Sequence, residues 1–136
     1  MNSVIRKPWG REYLAFRNEH VAIWVLEIQK GEATSLHCHP HKNTALIVLR
    51  GEVNLSFIRG APHYMIGLDK INIFRGRFHS TRALTDATLL EVEAPDEKTD
   101  IVRLDDAYGR AGLPIEGAEA EEPRDESCIW LGGAPV

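Results

Sequence analysis

Cysteine is scarce in this chain: Cys38 and Cys128 are the two among 136 residues, too few for a disulfide framework. Cys38 is expected as a free thiol packed in a β-wall. Long apolar runs are also missing, and none reaches the length that spans a membrane. The opening Met1-Asn-Ser-Val-Ile-Arg-Lys-Pro is polar rather than signal-like, so the expected location is the cytoplasm, with no membrane partner. Positive charge is not in excess. With 16 Lys and Arg against 20 Asp and Glu, the net charge is −4, which weighs against nucleic acid as a partner. Glycine-rich phosphate loops, internal repeats and a long amphipathic helix before residue 100 are absent as well.

What remains reads as short strands. A chain of 136 residues is long enough for one domain with one substantial core. Residues 12–16 and 20–28 are rich in β-branched and aromatic residues, the second apolar on both faces. Strands are further predicted over 34–39, 44–50, 53–57, 64–66, 70–74, 78–82 and 88–93, with Gly31, Gly51, Gly60, Gly67, Gly76 and Asp86 between them. Val53, Leu55 and Phe57 alternate with Asn54 and Ser56, the mark of a half-buried strand. Strands at this spacing predict an all-β sandwich or barrel. Past Pro95 the composition changes, and 116–126 holds six acidic residues and one arginine. The expected division is a barrel over 1–110 and an irregular tail over 111–136.

Three histidines stand out. His37 and His39 are two apart, so on a strand they project from one face, roughly 6.5–7 Å apart along the chain. His79, from another strand, can complete one face of a metal site. Cys38, between the first two, points the other way. His20 and His63 have no motif around them and read as ordinary solvated residues.

The run Gly31-x5-His37-x-His39-x4-Thr44-x6-Gly51 resembles the first sequence motif of the cupin superfamily, and Gly67 through His79, with Gly76 three positions before the histidine, resembles the second. Arg6-Lys-Pro8-Trp9-Gly10 is similar to the Arg-Pro-Trp-Gly opening of the cupin domain in bifunctional mannose-6-phosphate isomerase/GDP-mannose pyrophosphorylases. The stretch Thr34-Ser35-Leu36 with His39-Pro-His41-Lys42, then Leu90-Glu91-Val92-Glu93, then Asp100-Ile-Val-Arg103-Leu-Asp-Asp106-Ala-Tyr108-Gly109-Arg110 continue that likeness in the same order. The resemblance implies a single-domain cupin, a double-stranded β-helix or jelly-roll barrel, dimeric through its N-terminal strands. Two departures fall on the metal site, where His37 stands for the family's glutamine and Thr44 for its glutamate; in the second motif Phe74 stands for the usual proline and Ala83 for the asparagine.

The ligand set so implied is His37, His39 and His79, all neutral imidazoles holding a divalent transition metal: Zn, Fe, Ni or Mn, with copper also suited to imidazole. Open coordination positions would let the ion act as a Lewis acid. An aldose–ketose isomerase also needs a base, for which Lys42, Glu91 and Glu93 are the candidates. His41, at the barrel mouth, is a candidate substrate contact or spare ligand. Arg103 and Arg110 are candidate phosphate contacts, since guanidinium binds phosphate through paired hydrogen bonds; each could equally pair with neighbouring acids. The expected ligand is a small molecule, a mannose-6-phosphate or related sugar phosphate. Two other readings use the same residues: a non-catalytic sugar or sugar-nucleotide binding cupin of polysaccharide biosynthesis, and a three-histidine iron dioxygenase.

Overall fold

The computed structural model describes residues 4–97 and 99–105, and its regular structure is entirely β. One sheet contains, in spatial order, β1 (Val4–Lys7), β2 (Gly10–Arg17), β3 (Ala22–Ile28), β10 (Ala87–Ala94), β5 (Asn43–Arg50) and β8 (Lys70–Ile73). The other contains β11 (Val102–Asp105), β4 (Leu36–Cys38), β9 (His79–Ala83), β6 (Val53–Phe57) and β7 (His63–Met65). All neighbouring strands are antiparallel. Trp24, Leu26, Ile28, Leu46, Val48 and Leu89 of the first sheet meet Val53, Leu55, Met65 and Ala83 of the second in one core. Two sheets that bury alternate residues against each other form a jelly-roll barrel. This is the expected architecture.

Alternation decides which residues enter the core. Along β6, Val53, Leu55 and Phe57 are buried while Asn54 and Ser56 are only half-buried. Along β10, Ala87, Leu89, Glu91 and Glu93 all point inward. Gly51 makes the turn into β6 with φ 91°. A Cβ there would lie 2.4 Å from the carbonyl oxygen of Asp86, so both conformation and space require glycine.

Several strand limits differ from the sequence expectation. Strand β3 begins at Ala22, because the Asn18 side chain accepts hydrogen bonds from the His20 and Val21 amides and turns the chain first. Strand β4 is shorter than 34–39. The Thr34 amide is already committed to the Thr81 carbonyl, and Ser35 turns toward the His37 ring. Strands β1 and β11 lie at sheet edges and were absent from the expectation. Cys38 corrects it as well. It packs on the outer side of β4 with Phe78, Leu36 and Val102, as alternation requires, but it is disulfide-bonded and not a free thiol. Its bonding partner lies outside the described residues, as do Arg110 and the tail over 111–136. No helix among the described residues is long and apolar enough to cross a membrane.

Candidate metal centre

Strands β4 and β9 bring the three histidines together. His37 and His79 are direct cross-strand partners, their ring centroids 4.5 Å apart. His39, two residues along, shares their face, with its ring 4.9 Å from His37 and 5.4 Å from His79. One ligand nitrogen from each lies within 4.8 Å of the others, and all three residues are buried.

The rings are aimed by the backbone. His37 Nδ1 lies 2.8 Å from its acceptor, the Ser35 carbonyl oxygen, and 3.0 Å from Ser35 Oγ. His39 Nδ1 is 2.9 Å from the carbonyl oxygen of Asp100, and His79 Nδ1 is 3.0 Å from that of Arg77. A carbonyl can only accept, so each Nδ1 carries the proton and each Nε2 keeps its lone pair. His39 Nε2 is buried and has no hydrogen-bond partner. A lone pair held in place without a donor is costly unless a cation takes it. The Gly76 amide, where φ is 81°, fixes the same loop from the other side by donating to the His39 carbonyl oxygen at 2.8 Å.

Burial is the main reason all three imidazoles titrate below the usual histidine value, His37 and His39 well below it. For His37 the charge of His79 adds to this, followed by Arg103 and Lys42. For His39 the ammonium of Lys42 comes next after burial. The Arg77 carbonyl and the Glu91 carboxylate oppose the downward shift at His79. Neutral imidazoles are the form that binds a metal, so the residues present fit a divalent transition ion.

The other candidates fall into distinct places. Lys42 and Glu93 form a buried ion pair, with side-chain exposures of 2% and 0%. Glu93 lies opposite Thr44 in the β10–β5 register, and both belong to the inward face. Glu91 is buried on that face too, near enough to His79 to act on its charge. Arg103, on β11, is the cross-strand partner of His37 and is buried. His41 does not join the trio. Its side chain is 66% exposed and its Nδ1 lies 2.9 Å from Asp100 Oδ1. His20 is exposed, and His63, also exposed, stands edge-on to Phe57.

Sequence reasoning missed the roles of Ser35 and Asp100. The Asp100 carboxylate is fully buried and accepts hydrogen bonds from the His41 amide at 2.8 Å and the Lys42 amide at 3.0 Å. Its backbone carbonyl meanwhile orients His39. The available signal was its place at the head of the Asp-Ile-Val-Arg segment.

No protein-family model matches the chain, and no curated protein matches it. Solved structures do. An RmlC-like cupin from Shewanella frigidimarina is 15% identical, with a TM-score of 0.65 over 71% of this chain and 86% of that one. KdgF from Halomonas sp. is 14% identical, with a TM-score of 0.63 over 67% and 83%. The capsular polysaccharide assembling protein CapF from Staphylococcus aureus is 16% identical, with a TM-score of 0.60 over 80% of this chain and 32% of that one. At such identities the likeness is one of fold. The chain has the cupin fold, a double-stranded β-helix, and within it a cluster of three histidines able to hold a metal ion.

Proposed function

We propose that this protein is a metal-dependent cupin acting on a sugar phosphate in the manner of an aldose–ketose isomerase. The observation that carries the reading is the convergence, in one end of the barrel, of three backbone-anchored imidazoles with the inward carboxylates Glu91 and Glu93. The segment likeness to mannose-6-phosphate isomerase cupins supports the substrate class. The name of one structural relative, a capsular polysaccharide assembling protein, fits the coarser reading of a sugar-related cupin.

A divalent ion on the three Nε2 atoms would supply a Lewis acid that polarises a carbonyl. The chain's own residues then divide the remaining work. Glu91 and Glu93 are the carboxylates inside the barrel, and the reading makes one of them the base that takes a proton from one sugar carbon and returns it to the next. Lys42 pairs directly with Glu93 and fixes the position of its carboxylate. Arg103, beside His37, is the phosphate contact within the described residues. The reading includes a homodimer formed through β1, an edge strand of its sheet.

The test pairs metal analysis of the purified protein with a panel of hexose and pentose phosphates, followed for aldose–ketose conversion and for deuterium uptake from solvent. Conversion with deuterium at the carbon next to the carbonyl is the expected result. Thr44, in place of a ligand glutamate, favours a second reading, a sugar-binding module without turnover. Tight binding of a sugar phosphate or sugar nucleotide with no exchange would establish it instead. Bound iron with oxygen consumption on a thiol would replace both with a dioxygenase.

A further inference from the structure

The inward face of β5 runs Thr44, Leu46, Val48, and the last two enter the main core. Thr44 ends that row at the polar end of the barrel. It is 5% exposed, and its Oγ1 is buried without a hydrogen-bond partner. His39 Nε2, just past the end of β4 in the opposite sheet, is the matching case, also buried and without a partner. Two polar atoms left open inside one barrel end point to a ligand that satisfies both at once.

Charge says what kind of ligand. Each imidazole spends its N–H on a carbonyl and offers the ion an uncharged lone pair, Lys42 and Glu93 form an ion pair, and Glu91 and Arg103 are of opposite sign. Of the other buried acids, Glu12 lies beside Lys7, and Asp100 directs its carboxylate to the amides of His41 and Lys42 and to the His41 ring. A divalent ion would therefore bring two positive charges to a site whose ligand side chains return none. Buried charge persists only when it is compensated. Glu93, the cross-strand neighbour of Thr44, does not repel an incoming anion because the Lys42 ammonium already holds it.

We infer that this centre also accepts an organic anion, which binds the ion through carboxylate-type oxygen beside Thr44 in the position a sugar carbonyl would take, with the Thr44 hydroxyl donating a hydrogen bond to it. The inference rests on the reading of the trio as a metal site. It makes Thr44 a specificity-determining residue, one that admits acids and disfavours neutral polyols.

The full chain loaded with Co2+ is titrated with oxalate and, separately, with the neutral polyol mannitol, and the visible ligand-field bands are followed. Oxalate is expected to shift the bands saturably, and mannitol to leave them unchanged. Thr44→Glu, which places a carboxylate in the space, should still take up Co2+ but need at least about tenfold more oxalate for half the shift. Thr44→Val, similar in size but without a hydroxyl, should bind Co2+ normally and weaken oxalate by roughly tenfold. It also keeps the test open should Thr44→Glu fail to fold. A loaded protein whose bands ignore oxalate, or a folded Thr44→Glu that responds like the wild type, overturns the inference while leaving the metal site standing. Failure of the wild type to take up more Co2+ than His37→Ala removes the metal site and the inference with it.

Discussion

Strand β10 passes through both ends of the barrel, and its inward row changes character halfway. Ala87 and Leu89 face Val48, Val53 and Ile28, whereas Glu91 and Glu93 lie toward Thr44, Lys42 and the histidines. The backbone is one continuous strand, with a register shift against β5 between Thr88 and Leu89, and Leu89 and Glu93 are equally hidden, at 1% and 0% exposure. The two halves nevertheless act oppositely on stability. Burying a leucine side chain contributes about 1.5–3 kcal/mol, while burying a carboxylate costs free energy unless a cation meets it. One half of the barrel thus supports the other. Sheet geometry that hides apolar groups at one end hides reactive groups at the other, where low polarity keeps imidazoles neutral and strengthens each contact.

Removing the cation from the polar end should break this balance most severely. Lys42→Met leaves the Glu93 carboxylate buried without its ammonium, and a loss of about 3–5 kcal/mol is expected in urea unfolding. Adding Glu93→Leu should restore most of that stability. Unaltered stability in the single variant would show that the pair does not hold this end. At the apolar end, Leu89→Ala is expected to cost about 2–5 kcal/mol while Co2+ uptake per chain stays the same. Reduced uptake would mean that the two ends are not separable. His79→Ala should weaken Co2+ binding by about 100-fold, measured calorimetrically.

The smallest effect is that of pH on the metal-free protein. The buried histidines bind protons only below the ordinary histidine range, so as pH falls through about 6.5 the unfolded chain takes up protons that the folded one refuses. Stability is therefore full above that value and declines below it, and the melting temperature should drop between pH 7 and 5. His79→Ala should flatten the slope. A flat wild-type profile would contradict the desolvation of the trio.

Which features were legible in the sequence follows from the reach of the interactions behind them. Strand β6 was correct to the residue because its own alternation states which side is buried. The trio was legible because residues two apart share a face and Gly76 marks the loop before His79. Strand β11 has only four residues, and its placement depends on β4, far away in the chain. Lys42 and Glu93 were read as separate candidate bases; that they bind each other across 51 positions has no local signature. The anchors of the histidines were hidden for another reason. They are carbonyl groups of Ser35, Arg77 and Asp100, and a carbonyl is the same in every residue.

The hydrogen bond from His39 to the Asp100 carbonyl spans 61 positions and lies close to the end of the described chain. During synthesis from the N-terminus, strands β1 through β10 are available to pair before residue 100 has left the ribosome. The barrel can therefore close while one of its three imidazoles still lacks its anchor. The orientation of His39 thus waits on a late segment, and a product that ends before residue 100 carries the walls of the vessel without the fitting that aims this ring.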